Sequence, residues 1–158
     1  MAGTGYWLLK TDAASFSFDD LWRAPKRTTG WSGVRNYQVR NFMTQSMRVG
    51  DGALVYHSSS DPTGVAGLAE VASQAYPDPT QFDPSDEHFD PKSPRDAPRW
   101  FQVDVRATAR LARFVTLAEL RASKKLAGMA FLRPGSRLSI TPVTPAEWRE
   151  VLRLGGAG

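Results

Sequence analysis

The sequence predicts an α+β fold: a small mixed β-barrel of about five or six strands, partly closed, with three or four helices packed outside it. Three observations carry this expectation. The apolar runs are short and several alternate with a period of two, as strands with one buried face do. Helix starts with recognisable caps fall among them, without the strand–helix–strand rhythm of a parallel α/β fold. A chain of 158 residues, 41% hydrophobic and 23% charged, suits one domain over residues 1–158 with a single substantial core.

The elements come in this order. "GYWLLK" (Gly5–Lys10) reads as a first strand, with Tyr6, Leu8 and Lys10 on one face and Trp7 and Leu9 on the other. "FSFDDLW" opens a helix: Ser17 is the N-cap, Asp19 and Asp20 sit in the first turn, and Phe16 and Leu21 are spaced as a hydrophobic staple. Pro25 and Gly30 bracket a basic loop. A helix then runs through "WSGVRNYQVRN" (Trp31–Asn41), with Val39, Phe42, Met43 and Met47 as its core stripe. After the "VGDG" turn, "ALVYH" (Ala53–His57) and "VAGLAEV" (Val65–Val71) form a hairpin with a long connection.

Tyr76–Pro98 differs from the rest. It holds six of the 11 prolines and has no periodicity, so it reads as a functional loop or a stiff surface wrap. "RWFQVDVRA" (Arg99–Ala107) alternates as a strand and "RLARFV" continues it. Thr116 and Glu119 make a capping box for a short helix. "RLSIT" (Arg137–Thr141) is a late strand. The closing helix has Thr144 at its N-cap, Pro145 at N1, Glu147 at N3 and Gly155 as its stop. Trp22 and Trp148 fall on amphipathic helices and are assigned to the core.

Composition narrows the chemistry. There is no cysteine, hence no disulfide, thiol nucleophile or thiolate metal site. The two histidines, His57 and His88, have no HExxH or carboxylate pattern around them, so neither metal nor cofactor is expected. GxxxxGK[ST] and GxGxxG are absent. A triad of His57, one of Ser58–Ser60 and Asp61 or Asp104 lacks a GxSxG elbow, and adjacent strand residues such as His57 and Ser58 face opposite ways. The expectation is therefore a protein that is not an enzyme. No apolar run approaches a membrane span and "MAGTGYW" lacks signal-peptide character, so a cytoplasmic protein without a membrane partner is expected.

Charge points to a partner. Net charge is +4, and it is unevenly placed: residues 1–50 carry 7 Lys/Arg and 3 Asp/Glu, residues 51–100 carry 3 and 9, and residues 101–158 carry 10 and 4. A basic body with an acidic middle suits a polyanion touched on one face. "WSGVRNYQVRN" supplies groups that could read it. Trp31 can form a pocket wall and Gly33 permits close approach. Asn36 and Asn41 present the donor and acceptor that match a base edge. Arg35, Arg40, Lys26 and Arg27 are candidates for phosphate. Trp7 and Trp100 could complete an aromatic cage. Each has a plainer reading as well: tryptophan as core, arginine as solvated face or carbonyl cap, asparagine as a helix-to-strand tie. Residue type and spacing leave both open.

The motifs in order resemble the EVE domain family of the PUA-like superfamily. The matching pieces are "YWLLK", "FSFDDL", "WSGVRNYQVRN", "VGDGALVYHS", "GVAGLAEV", "AYPDPTQFDP", "FDPKS", "PRWFQVDV", "VTLAEL" and "RLSITPVTPAEW", which cover nearly the whole chain. The resemblance implies a PUA-like barrel, related to the YTH domain, that reads a modified base flipped into an aromatic pocket. Modified cytosine such as 5-methylcytosine in DNA is the expected target; RNA binding is the alternative, and a pocket enzyme using His57 is a further one. Any effector would be a separate protein. By resemblance, Trp31, Gly33, Val34, Arg35, Asn36, Tyr37 and Asn41 form one side of the pocket. Tyr56, His57 and Ser58 form a second and Trp7 with Lys10 a third, while Leu138 and Ser139 lie in the segment of the family's last strand. The family's "FKSEP" reads here "LKTDA", which keeps Lys10 and places Thr11, Asp12 and Ala13 after it.

Overall fold

The computed structural model describes residues 5–135 and 137–157; the remainder of the expected 1–158 span lies outside them. In chain order the elements are β1 (Tyr6–Asp12), α1 (Phe18–Arg23), β2 (Thr28–Gly30), α2 (Tyr37–Asn41), β3 (Gly52–Ser58), β4 (Gly64–Val71), β5 (Tyr76–Pro77), β6 (Phe101–Gln102), β7 (Asp104–Thr116), α3 (Leu117–Ala122), β8 (Ile140–Val143) and α4 (Pro145–Leu154). Six strands form one curled mixed sheet, ordered β2-β7-β4-β3-β1-β8, which makes half a barrel; β5 and β6 form a separate ribbon. β1 and β3 run parallel, from Tyr6 against Gly52 to Asp12 against Ser58. All other neighbours in the sheet are antiparallel. Register shifts on β3–β4 and twice on β4–β7 add the local twist that bends the sheet.

Both faces of the sheet are covered, and the alternation along β1 shows why. Trp7 and Leu9 join one core with Val39, Met43, Val55, Val105 and Ile140, while Leu8 joins another with Leu54, Val65, Leu120, Leu126, Met129 and Val151. The three predicted caps form as full capping boxes: Ser17 with Asp20, Thr116 with Glu119 and Thr144 with Glu147. Trp22 and Trp148 are only partly buried. The Arg27 guanidinium lies 3.6 Å from the Trp22 ring centre, and Trp148 stacks on Tyr6 at 4.6 Å.

Thr28–Gly30, expected in a loop, forms β2, the expected Arg99–Ala107 strand breaks at Val103 between β6 and β7, and two boundaries move. Trp31–Asn36 is not helical; α2 starts at Tyr37 because the Asn36 side chain accepts from the Val39 amide, and it passes into a π-helical turn at Phe42–Ser46. The last strand begins at Ile140 rather than Arg137. Among the described residues no helix is long and apolar enough to cross a membrane.

One contact fixes how α1 sits on the sheet. A methyl group at Gly67 of β4 would fall 2.3 to 2.5 Å from three carbons of the Phe18 ring. Gly67→Ala should therefore cost about 1–3 kcal/mol, as overpacking does, and lower the urea midpoint. Phe18→Leu in the same chain should restore part of the loss. An unchanged midpoint in Gly67→Ala would show that the ring is not held there.

Candidate nucleic-acid interface

A concavity opens where six segments meet. It has a volume of about 440 Å³ and is lined by the end of β1 (Lys10, Thr11, Asp12), Ser15 and Phe16 ahead of α1, Thr29 and Gly30 of β2, the Trp31–Arg35 stretch, Glu87 and His88, and Ser139. That volume lies within the range of small-molecule sites. The lining mixes an aromatic wall, hydroxyls, two cations and two carboxylates.

Trp31 is positioned from both sides. Its amide donates to the Val103 carbonyl at 2.8 Å, and its ring meets Phe16 edge-on at 6.3 Å. Only 9% of it is exposed, so most of the indole is core and the remainder is cavity wall. Gly33 (φ 83°) takes a left-handed turn that favours glycine. A methyl group there would come within 2.8–3.1 Å of the His88 imidazole.

The Pro-rich segment proves to be a strap rather than a free loop, and Arg35 ties it down. All five N–H groups of Arg35 are used. Nε and Nη2 donate to the His88 carbonyl at 3.1 and 2.7 Å. Nη1 donates to the Val34 carbonyl and to Asp78 at 2.9 and 3.2 Å, and Nη2 also reaches the Thr80 hydroxyl at 3.0 Å. A guanidinium so occupied has no donor left for phosphate, which corrects the phosphate role expected for Arg35. The Asp78 side chain is fully buried and also accepts from the Gly33 amide at 2.8 Å and from the Thr80 amide and hydroxyl at 2.8 and 2.6 Å. Burial alone pushes the Asp78 carboxyl up, but the bonds from Thr80, Gly33 and Arg35 outweigh it and hold the pKa below the ordinary value. Gln81 braces the strap further: its side chain donates to the Asp78 and Trp100 carbonyls and accepts from Ser93 and the Trp100 amide.

Of the residues expected at the site, Lys10, Trp31, Gly33, Val34, Arg35 and Ser139 line the cavity; the others lie elsewhere. Trp7 is in the core, its indole N–H donating to buried Asp51 at 2.9 Å. Asn36 caps α2. Asn41 accepts from Arg40 at 2.9 and 3.1 Å, and Arg40 in turn donates to the Arg99 carbonyl. Tyr37 is 51% exposed and packs at a tilt against Trp100 at 4.7 Å, while Trp100 donates to Asp90. Tyr56 is buried against Phe131. Ser58 donates to the Thr11 carbonyl, and Leu138 packs on the first core. Lys26 and Arg27 are exposed and hold consecutive left-handed conformations, φ 56° and 54°, at roughly 1–2 kcal/mol each.

His57 is occupied as well. Its Nε2 accepts from the Phe18 amide at 2.9 Å, and burial pushes its pKa down against the pull of Asp19 and Asp20. It does not line the cavity. Among the described residues, no group of three or more His, Cys, Asp or Glu could hold a metal ion.

Sequence reasoning missed Thr11, Asp12, Ser15, Phe16, Thr29, Gly30, Ser32, Glu87 and His88 as lining residues. Phe16 carried a signal, since a residue just ahead of an N-cap is placed by the helix it precedes. Glu87 and His88 carried none, because the bonds that bring the strap back come from Gly33 and Arg35, more than forty residues earlier in the chain.

Comparison with known proteins agrees with this architecture. The profile of the EVE domain family matches residues 5–154. Human thymocyte nuclear protein 1 is 41% identical over 169 residues, covering 96% of this chain and 74% of that protein. A crystal structure of the human THYN1 protein in complex with DNA containing 5-methylcytosine superposes with a TM-score of 0.91 at 39% identity, covering 96% of this chain and 98% of that one. A YTH domain from Zygosaccharomyces rouxii, in complex with N6-methyladenosine RNA, superposes with a TM-score of 0.53 at 16% identity, covering 98% of this chain and 87% of that one; that likeness is one of fold.

Proposed function

The chain belongs to the EVE domain family, and from that premise we propose that it binds nucleic acid and accepts a flipped modified base, a modified cytosine in DNA, in the Trp31 cavity. The observation that carries the reading is the cavity itself: an aromatic wall beside a small set of polar groups, in a chain 39% identical to a protein crystallised with 5-methylcytosine DNA. Taking a base out of a duplex costs a few kcal/mol. Stacking on an aromatic face returns about 1–3 kcal/mol, and hydrogen bonds to the base edge supply the rest. Cytosine offers an exocyclic amino donor, and a carboxylate is its natural acceptor. Asp12 and Glu87 supply carboxylates at the rim. Trp31 is the stacking wall, Ser15, Ser32 and Ser139 are edge-bonding candidates, and Lys10 meets the backbone.

What favours binding over catalysis is the state of His57. As the candidate acid or base of the enzyme reading, it would have to reach the cavity. It lies outside, with its acceptor nitrogen already bonded to the Phe18 amide.

The experiment is a binding panel on duplexes that differ at one base: cytosine, 5-methylcytosine, 5-hydroxymethylcytosine or N6-methyladenine. One modified cytosine should bind at least tenfold tighter than cytosine. Equal affinities across the panel would overturn the proposal, and tighter binding of matched single-stranded RNA would move the target to RNA.

A further inference from the structure

A second groove shares a residue with the base cavity. It measures about 430 Å³ and is lined by Lys10, Arg121 and Arg133 together with apolar Leu117, Phe131, Leu132 and Pro134. Lys10 also lines the Trp31 cavity, so the two depressions meet at its side chain. Among the described residues no carboxylate lines the groove, and none lies within ion-pair distance of Lys10, Arg121 or Arg133.

The other basic depression makes the contrast. It holds Lys124, Lys125 and Arg153, but Glu119 and Glu150 lie among them, and Arg153 donates to Glu150 at 2.8 and 2.9 Å. There two carboxylates offset the three cations in part, and Arg153 is paired. Arg106, Arg110 and Arg113 likewise each have a carboxylate partner. The Lys10 groove is lined by three cations and no carboxylate, among apolar side chains that include Phe131, which packs against Tyr56. Cations left in that state favour a phosphate chain, whose condensed counterions they displace on binding.

We infer that the Lys10–Arg121–Arg133 groove is the track for the DNA sugar-phosphate backbone beside the flipped nucleotide, with Lys10 at the junction of base and phosphate. The inference rests on the base-binding reading above. The track carries affinity but no sequence information, since phosphates position while bases specify.

The test is a salt titration of binding to two duplexes, one with 5-methylcytosine and one with cytosine. Arg121→Gln/Arg133→Gln should bind both duplexes roughly tenfold weaker and keep the preference between them. Its plot of log affinity against log salt should be shallower by about two, one for each cation removed. Lys124→Gln/Lys125→Gln, an equal loss of charge at the other depression, should bind like the unaltered protein. An unchanged slope in the first variant, or an equal loss in the second, overturns the track. If the unaltered protein binds both duplexes equally while the Arg121/Arg133 slope still falls, base reading fails and the track stands. If it binds neither duplex at low salt, both fail.

Discussion

Asp78→Ala is expected to lower the melting temperature by about 10 °C and to weaken binding at the Trp31 cavity with it. One carboxylate joins two walls that the chain makes separately. Its oxygens accept from Gly33 and Arg35 on one side and from Thr80 within the strap. Removing one partner of a buried ion pair costs about 3–5 kcal/mol, because the other charge is left uncompensated. In a domain of this size each kcal/mol moves the midpoint by roughly 2–4 °C. Asp78→Asn keeps an acceptor but loses the charge, so it should fall between. The same carboxylate gives a pH signature. Its folded pKa is held below the ordinary value, so its contribution is present above the unfolded carboxylate pKa and is lost as pH falls through the lower, folded value. The melting temperature of the unaltered protein should therefore drop more steeply below about pH 4 than that of Asp78→Ala. Parallel curves, or a midpoint shift under about 2 °C, would mean that the strap is held by other contacts.

Trp31→Ala should reduce affinity for the preferred modified duplex by roughly tenfold or more, towards the level set by backbone contacts alone. The loss is that of one base–aromatic stack, about 1–3 kcal/mol. Because Trp31 also belongs to the core, the same change should cost about 3–5 kcal/mol of stability, and the two effects must be separated. Trp31→Phe serves that purpose: it keeps an apolar ring against Phe16 but offers a smaller stacking face. It should fold, by thermal melt, and show an intermediate loss of preference. A folded Trp31→Phe together with a soluble Trp31→Ala, both with undiminished preference, would remove Trp31 from the role of stacking partner.

What the sequence made legible was what it encodes over a few residues. The three capping boxes lie within four-residue windows, and the opposite facing of Leu8 against Trp7 and Leu9 comes from a period of two. The site was half legible for the same reason. Trp31, Gly33 and Val34 sit together in one stretch beside the end of β1; the local pattern reaches the first two and the family resemblance all three. Arg35, Asn36 and Asn41 look like ligand groups in the sequence because their chemistry is identical whether the partner is a base, a phosphate or a backbone carbonyl. In the fold Arg35 takes carbonyls, a carboxylate and a hydroxyl, Asn36 takes an amide of its own helix, and Asn41 takes Arg40. His88 is invisible as a wall because proline-rich sequence gives the direction of the chain over two or three residues and says nothing of what it returns to.

The placing of β1 in the sheet has a consequence for the order in which the molecule can assemble. "YWLLK" is the first strand of the chain, yet it is an inner strand, flanked by β3 on one side and by β8 on the other. Its partner Ile140–Val143 emerges from the ribosome well over a hundred residues later. Until then one side of an apolar strand is an open edge, with amides and carbonyls available to any neighbouring chain. Closing it joins segments well over a hundred residues apart, and such long loops slow folding. The helix Pro145–Leu154, capped by its own Thr144–Glu147 pair, comes directly after that closing strand, and its Val151 joins Leu8 of β1 in one core.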